Sequence, residues 1–373
     1  MISYKFRLYP NKQQISKLWQ HANEMNRLYN YFLNQRIVAY KKDKININKK
    51  HQQSELVNLK KKNSILNEIH SQVLQQVTHR LDKTYQSFFK RCNQGQGFPK
   101  FRSCKNFFGI CYPQSGYKID DNKIITKVYG ALPFVKHRCI TGNIKQITIT
   151  TKNDKWFVCV VTEYEKETIS KINPIGIDVG ITNIIATSDG KIIKNKRHAK
   201  YFDKQINKIK SRRDKQCKKY SRKWKRLTKT VQKLYDVKNR KINDFLHKVS
   251  KNLSSKYDTI ICENLSVKKM SESKITGLNR ELRNSQLANL ISKIQYKSQN
   301  IVFVNPRNTS KTCNSCGNIQ DTPLHIREYV CRCGYKEDRD INAAKNIFCL
   351  GQAILETRCS ELTLQEALSF RKE

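Results

Sequence analysis

Two short apolar runs, each ending in a carboxylate, constrain this chain more than any other feature. Ile175-Gly176-Ile177-Asp178-Val179-Gly180 runs into an aspartate, and Thr259-Ile260-Ile261-Cys262-Glu263-Asn264 runs into a glutamate. Apolar runs of this length between turn formers read as buried strands. Their surroundings supply the rest of a sheet. Residues 181–187 and 191–194 read as strands around a turn at Asp189-Gly190, 198–252 as a long helical stretch, 281–298 as a helix and 301–304 as a strand. Strands alternating with helices predict an α/β sheet. Carboxylates at the ends of neighbouring strands then meet at one edge of it. A third acid, Asp340, opens a helix-like stretch, Asp338-Arg339-Asp340-Ile341-Asn342-Ala343-Ala344.

Three such carboxylates can hold two Mg²⁺ ions, or Mn²⁺, through hard oxygen ligands. Two metals about 3.5–4 Å apart serve phosphodiester hydrolysis. A lone strand-end acid is more often a cap or a surface group, so charge decides the matter. The chain carries 73 Lys and Arg against 30 Asp and Glu, a formal charge of +43. That excess calls for a polyanionic partner. Asp178, Glu263 and Asp340 are therefore the expected metal ligands and catalytic groups of a nuclease. The run from Asp178 also resembles the first phosphate loop of actin-like ATPases and sugar kinases. Those need a further Gly-rich phosphate loop, and the 13 glycines of this chain supply none.

Four cysteines form a second constellation, Cys313-Asn314-Ser315-Cys316 and Cys331-Arg332-Cys333. Two close pairs of thiolates suit one tetrahedral, structural Zn²⁺. Gly317 and Gly334 let the backbone turn over the sulfurs. The second pair has a one-residue spacer, shorter than the usual two. The remaining cysteines are scattered. With 13 in all, an odd number in a long chain, a disulfide framework is not expected.

The N-terminal part reads differently. Residues 2–9 alternate as a half-buried strand stopped by Pro10. Asn11 can cap a helix whose apolar face runs from Ile15 to Phe32 at steps of three and four. Residues 41–63, Lys- and Asn-rich without a clear period, read as a loop or frayed helix, and Ile65 to Phe88 mark a second helix. Short β-type stretches follow through 107–165, so the first 165 residues read as a β domain with a helical insertion after its first strand. The polar face with Gln72, Gln75, Gln76, Arg80 and Lys83, and the basic pair Lys100 and Arg102, are candidates for nucleic-acid contact. No apolar run approaches the roughly 18 residues of a membrane span, and the start has no signal-peptide core. The expectation is a cytoplasmic, nucleoid-associated chain with no membrane partner.

Motif by motif, the chain resembles TnpB, the transposon-encoded RuvC-like nuclease related to CRISPR type V effectors. The resemblance rests on the runs around Asp178 and Glu263, Thr309-Ser310-Lys311-Thr312-Cys313-Asn314-Ser315-Cys316-Gly317, Asp338-Arg339-Asp340-Ile341-Asn342-Ala343-Ala344, Gln72 to Gln76, and Gly97 to Arg102. It implies a wedge-type β barrel over 1–10 and 93–170, interrupted by a helical recognition segment over 11–92. It implies a RuvC domain with an RNase H-like sheet over 171–309 and 337–373, and a zinc ribbon over 310–336. It also implies a guide RNA from the element's end, pairing with target double-stranded DNA beside a short motif in a bacterial or archaeal cell, with a monomer as the expected state. Asp178, Glu263 and Asp340 match the family's metal-binding triad one by one, whereas Asp338 does not, because the family's aspartate is the one preceding x-Asn-Ala-Ala. No second nuclease signature of the His-Asn-His type is present, so one site would have to cut both strands in turn. A nuclease-dead guided repressor, a transposition accessory protein and a miniature CRISPR effector share the fold; the first should lack a carboxylate, and here all three stand.

Overall fold

The computed structural model describes residues 1–163, 173–265, 270, 276–321, 323 and 326–369, with the backbone alone for 276, 278 and 358–369. The chain divides into two compact units, Met1–Glu165 and Lys166–Glu373.

In the first unit β1 (Ile2–Leu8) buries Tyr4, Phe6 and Leu8 and exposes Lys5 between them. The helical insertion follows at once. Asn11 caps α1 (Lys12–Asp43) through a reciprocal pair of hydrogen bonds with Gln14, at 2.8 and 2.9 Å. Residues 41–63, expected as a loop or frayed helix, are helical except for a short break over 44–48 and the last residue, Asn63. α1 runs to Asp43, and Asn48 caps α2 (Lys49–Lys62). The periodicity is hidden because one of its buried positions is an amide. Gln52 is fully buried, donates to the Phe32 carbonyl at 2.9 Å and accepts from Arg36 at 2.9 Å. The short α3 (Ser64–Glu68) and α4 (Ser71–Arg91) complete the insertion, with a 3₁₀ turn over Cys92–Gln94.

Six further strands follow: β2 (Ile110–Tyr112), β3 (Tyr117–Asp120), β4 (Lys123–Thr126), β5 (Gly130–Val135), β6 (Asn143–Lys152) and β7 (Lys155–Glu163). The order is β2-β6-β7-β1-β5-β4-β3 and every pair is antiparallel. β1 is central, with Leu8 opposite both Trp156 and Phe134. The edge strands β2 and β3 do not pair with each other, yet the rings of Tyr112 and Tyr117 stand 6.2 Å apart across the gap. The sheet is thus curled and nearly closed rather than a complete barrel.

The second unit holds the expected α/β sheet. Its strands are β8 (Pro174–Asp178), β9 (Asn183–Thr187), β10 (Ile192–Lys194), β11 (Thr259–Glu263) and β12 (Asn300–Val304), in the order β10-β9-β8-β11-β12. β8, β11 and β12 are parallel, and β9 and β10 antiparallel. Helices α5 (His198–Gln216) and α6 (Arg222–Lys256) form a hairpin joined by buried Lys238, whose Nζ lies 2.6 Å from Asp203. Gln286, with φ of 53°, breaks the expected 281–298 helix into α7 (Thr276–Ser285) and α8 (Leu287–Lys297). One face of the sheet packs Ile177 and Ile260 against Leu246, Leu290 and Ile294. The other packs Ile261, Val302 and Val304 against Ile347 of α9 (Arg339–Ser369). A two-stranded ribbon of β13 (Glu328–Val330) and β14 (Lys336–Asp338) precedes α9. Among the described residues no helix is long and apolar enough to cross a membrane.

Helix α9 lies close on the sheet because two glycines leave room for it. A Cβ on Gly176 would stand 2.4 Å from the Ala344 carbonyl oxygen, and one on Gly351 2.3 Å from the Ile261 side chain. The first obstacle is backbone and cannot swing away. Gly176→Ala should therefore lower stability by about 2 kcal/mol, in the range of core overpacking. Urea unfolding of the two proteins measures it, and an unchanged midpoint would remove this contact from the fold's requirements.

Candidate active site

Asp178 and Glu263 are the last residues of neighbouring parallel strands. Cys262 is paired with Ile177, so each acid is the next residue along its strand. Asp340 reaches them from the first turn of α9. Asp338 has a different task. Its Oδ1 accepts the backbone N–H groups of Asp340 at 2.9 Å and Ile341 at 3.3 Å, so it caps the helix. That leaves Asp340 as the acid free to project from this motif.

The three carboxylates feel one another. Burial raises the Asp178 carboxyl to about 7, and the charges of Glu263 and Asp340 push in the same direction. Burial also raises Glu263, against the Thr309 hydroxyl, which donates to its Oε1. Asp340 accepts from Asn183 Nδ2 at 2.8 Å and has the Arg327 guanidinium 3.8 Å away. Arg327 is half exposed and donates to Thr182 Oγ1 at 3.2 Å. Without a cation the cluster is an unfavourable gathering of like charge. Divalent ions with a preference for oxygen are what such a gathering binds.

The four cysteines also converge. Their Sγ atoms all lie within 4.8 Å of one another, with 3.8 Å between Cys313 and Cys333 and 3.6 Å between Cys316 and Cys331. Sulfurs about 2.3 Å from a tetrahedral ion stand about 3.8 Å apart, so the donor set fits Zn²⁺ despite the short second spacer. Gly317 and Gly334 adopt φ of 76° and 91° where the chain folds back to the carbonyls of Cys313 and Cys331. The Cys333 backbone N–H holds the Cys331 thiol down to about 7, which makes a thiolate accessible near neutral pH.

Hydrogen bonds join this cluster to Glu263. The Asn342 side chain, fully buried, accepts the Asn314 backbone N–H at 3.1 Å and donates to the Thr312 carbonyl at 2.8 Å. Asn346, one turn on, donates to the carbonyls of Thr309 at 2.8 Å and Thr312 at 2.7 Å. Thr309 in turn holds Glu263. Sequence reasoning missed Thr309, Asn183 and Arg327. The two asparagines did leave a signal, since amides four residues apart on a helix share one face.

The candidate nucleic-acid residues do not form a single exposed surface. Gln75, Lys83 and Lys100 are exposed. Gln72 is half-buried and accepts from Ser115 Oγ at 3.0 Å, and Gln76 is half-buried. Arg80 and Arg102 turn inward. Arg80 donates to the Gly109 carbonyl at 2.7 Å, Arg102 donates to Asn26 Oδ1 at 3.1 Å, and both guanidinium groups lie over Phe108, 4.5 and 4.7 Å from its centroid. In this structure they bind the helices to the sheet.

Comparisons with known proteins follow this geometry. Three family descriptions match: "Probable transposase" over residues 157–274, "Cas12f1-like, TNB domain" over 288–347, and "Helix-turn-helix domain" over 1–44. Residues 1–44 fold here as a strand and one long helix, so the last label names a segment and not the motif. The chain is 31% identical to a TnpB-like protein of Methanocaldococcus jannaschii over 238 residues, 61% of this chain and 85% of that one. It is 26% identical to a "Putative RNA-guided DNA endonuclease" of Streptomyces pristinaespiralis, covering 94% of this chain and 89% of the relative. It is also 26% identical to the Escherichia coli protein of that description called InsQ, covering 78% and 77%. Among solved structures, the Cas12f1–sgRNA–target DNA complex contains a chain of like fold, with a TM-score of 0.61 and 18% identity over 90% of this chain and 82% of that one.

The raised Asp178 gives a pH signature. A carboxyl whose folded pKa lies above its unfolded value holds its proton more tightly in the fold. Its contribution to stability is complete below about pH 4 and is lost as pH rises to about 7. Asp178→Asn removes that loss. In buffer free of divalent ions the variant should be more stable than the parent at pH 8, by about 1–3 kcal/mol, with the gain shrinking to nothing near pH 4. Denaturant midpoints across that range measure it, and a gain independent of pH would point to packing instead.

Proposed function

The chain belongs to the TnpB family, and from that membership we propose that it is an RNA-guided DNA endonuclease of an insertion sequence, with Asp178, Glu263 and Asp340 as its hydrolytic centre. The observation that carries the site is their convergence: two carboxylates on adjacent strand ends and one on a helix start, where burial, and after it the charges of Glu263 and Asp340, raises Asp178 to about 7. We assign the second unit's sheet as the RuvC-like nuclease domain over 171–309 and 337–373, and residues 310–336 as a zinc ribbon. The near-closed sheet is the wedge-type domain over 1–10 and 93–170, and residues 11–92 are the recognition segment. Guide RNA and target double-stranded DNA are the partners.

Each residue has a task. Asp178, Glu263 and Asp340 hold two Mg²⁺ ions, or Mn²⁺, which supply activation of water and stabilisation of the leaving oxygen in phosphodiester hydrolysis. Thr309 and Asn183 fix the orientation of Glu263 and Asp340. Arg327, half exposed beside Asp340, offers a planar fork for a phosphate once ions neutralise the carboxylates. The four cysteines hold one structural Zn²⁺. Base pairing between guide and target reads sequence, so the protein needs to grip a backbone, and Lys and Arg spread over both units suit that task.

RNA co-purifying with the protein should be sequenced and the complex incubated with Mg²⁺ and a DNA library of randomised flanks. Asp178→Ala and Glu263→Gln should each lower cleavage at least about a hundredfold while retaining the RNA, because the grip rests on distributed cations. Undiminished cutting would remove these residues from the site. Thr309→Val keeps the shape and loses the hydroxyl. It should raise the Mg²⁺ concentration for half-maximal cutting severalfold with zinc content unchanged; an unaltered metal dependence would leave Thr309 no part in holding Glu263. Cys313→Ser should lose the zinc and lower the thermal stability of the second unit, as metal analysis and melting would show.

A further inference from the structure

The ends of α1 and α4 border a cavity of about 670 Å³ in the helical insertion of the first unit, within the size range of ligand pockets. Five rings line it, Tyr40, Tyr85, Phe88, Phe89 and Phe98, with Ile45 beside them. Phe98, on the loop after α4, meets Tyr85 and Phe88 edge-on at 5.6 and 5.4 Å, so the rings form one supported surface. Yet Tyr40 is 60% exposed, Phe89 65% and Phe98 46%. A patch of aromatic surface left open to water marks a binding site more often than an accident.

Charge identifies the occupant. Both helices end here in basic turns, Lys41 and Lys42 on α1, Lys90 and Arg91 on α4. Residues 36–50 and 83–102, which border the cavity, hold eleven Lys and Arg and one acid, Asp43. The acid in the wall, Asp82, is engaged by Arg36 at 3.3 Å and Gln86 at 2.9 Å. Lys44 lies 5.3 Å from the Tyr40 ring centroid. A second copy of this chain would set those cations against their own likeness, and an apolar peptide would leave them unanswered. Single-stranded nucleic acid answers both demands, with bases that stack on rings and phosphates that pair with lysines.

We propose that this cavity is a nucleobase pocket, taking one or two unpaired bases of a single strand between Tyr40, Phe89 and Phe98, with the flanking phosphates on Lys41, Lys44 and Lys90. The pocket is built wholly from residues of the first unit and the carboxylate site wholly from the second, so the proposal does not depend on the carboxylates. Gln75 and Gln76, the polar candidates of α4, lie outside its walls.

The test uses the full chain without divalent ions, so the carboxylates play no part. Short single strands carrying one 4-thiouridine (RNA) or 4-thiothymidine (DNA) are bound, irradiated, and the crosslinks mapped by mass spectrometry. Crosslinks at Tyr40, Phe89 or Phe98 are expected, and the arm that gives them names the strand. Tyr40→Ala with Phe98→Ala should weaken binding about tenfold at fixed salt and leave the salt slope unchanged, since the cations remain. Tyr40→Phe with Phe98→Tyr keeps both rings and should restore affinity, which separates stacking from damage to the fold. Crosslinks confined to other surfaces, or full affinity in the double alanine variant, would overturn the proposal. So would a concentration-dependent dimer abolished by Phe89→Asp, which would assign the face to a second copy.

Discussion

Helix α9 depends on the bare backbone of two glycines. Gly176 in β8 lets the helix settle against the sheet at a distance its backbone would deny a methyl group, and Gly351 in α9 leaves room for the Ile261 side chain. From that contact the site follows. The helix start is carried to the strand ends, Asp338 closes its first turn, and Asp340 projects where Asp178 and Glu263 already stand. The same helix presents Asn342 and Asn346 to the segment that leads into the cysteine cluster, and that segment holds Glu263 through Thr309. One packing distance thus sets the three carboxylates and the cysteine cluster in register.

The price of this arrangement is local instability. Burying carboxylates at a sheet edge destabilises the fold when no cation is bound: burial raises both Asp178 and Glu263, and the charges of Glu263 and Asp340 push Asp178 further. The rest of the unit offsets them with interdigitated β-branched side chains on both faces of the sheet. Such a site trades stability for affinity toward cations, a common compromise where chemistry needs charge in a sheltered place.

Much of this was legible in the sequence where the signal was local. The runs ending in Asp178 and Glu263 read as strands because apolar β-branched residues have little other use at that length, and their parallel pairing follows from the helices between them. The cysteine spacing announced its cluster, and Asn11 announced the start of α1, although its reciprocal partner Gln14 went unread. The break at Gln286 is one of backbone conformation, but the other misreadings share a cause, which is that polar side chains were taken as exposed. Gln52 sits in the core with its amide satisfied, so α2 lost its period on paper. Arg80 and Arg102 resemble phosphate-binding residues in a basic chain, yet each finds a carbonyl or amide and a phenyl ring inside. Arg327 lay in no motif, and Thr309 stood in one only as its first residue; what each does lies in contacts made across the fold, which no local pattern states.

The central place of β1 in the first sheet has a consequence for how the chain comes into being. The strand is made well before its longest partner, β7, which spans Lys155–Glu163. At about 5–20 residues per second, β1 waits roughly 6–25 s for β5 and roughly 8–30 s for β7. During that interval its alternating Tyr4, Phe6 and Leu8 form an open template for other nascent chains. The helices of the insertion, made next and stabilised mostly by near neighbours, can shelter those side chains before the sheet exists. The insertion after the first strand therefore acts in synthesis as a temporary cover.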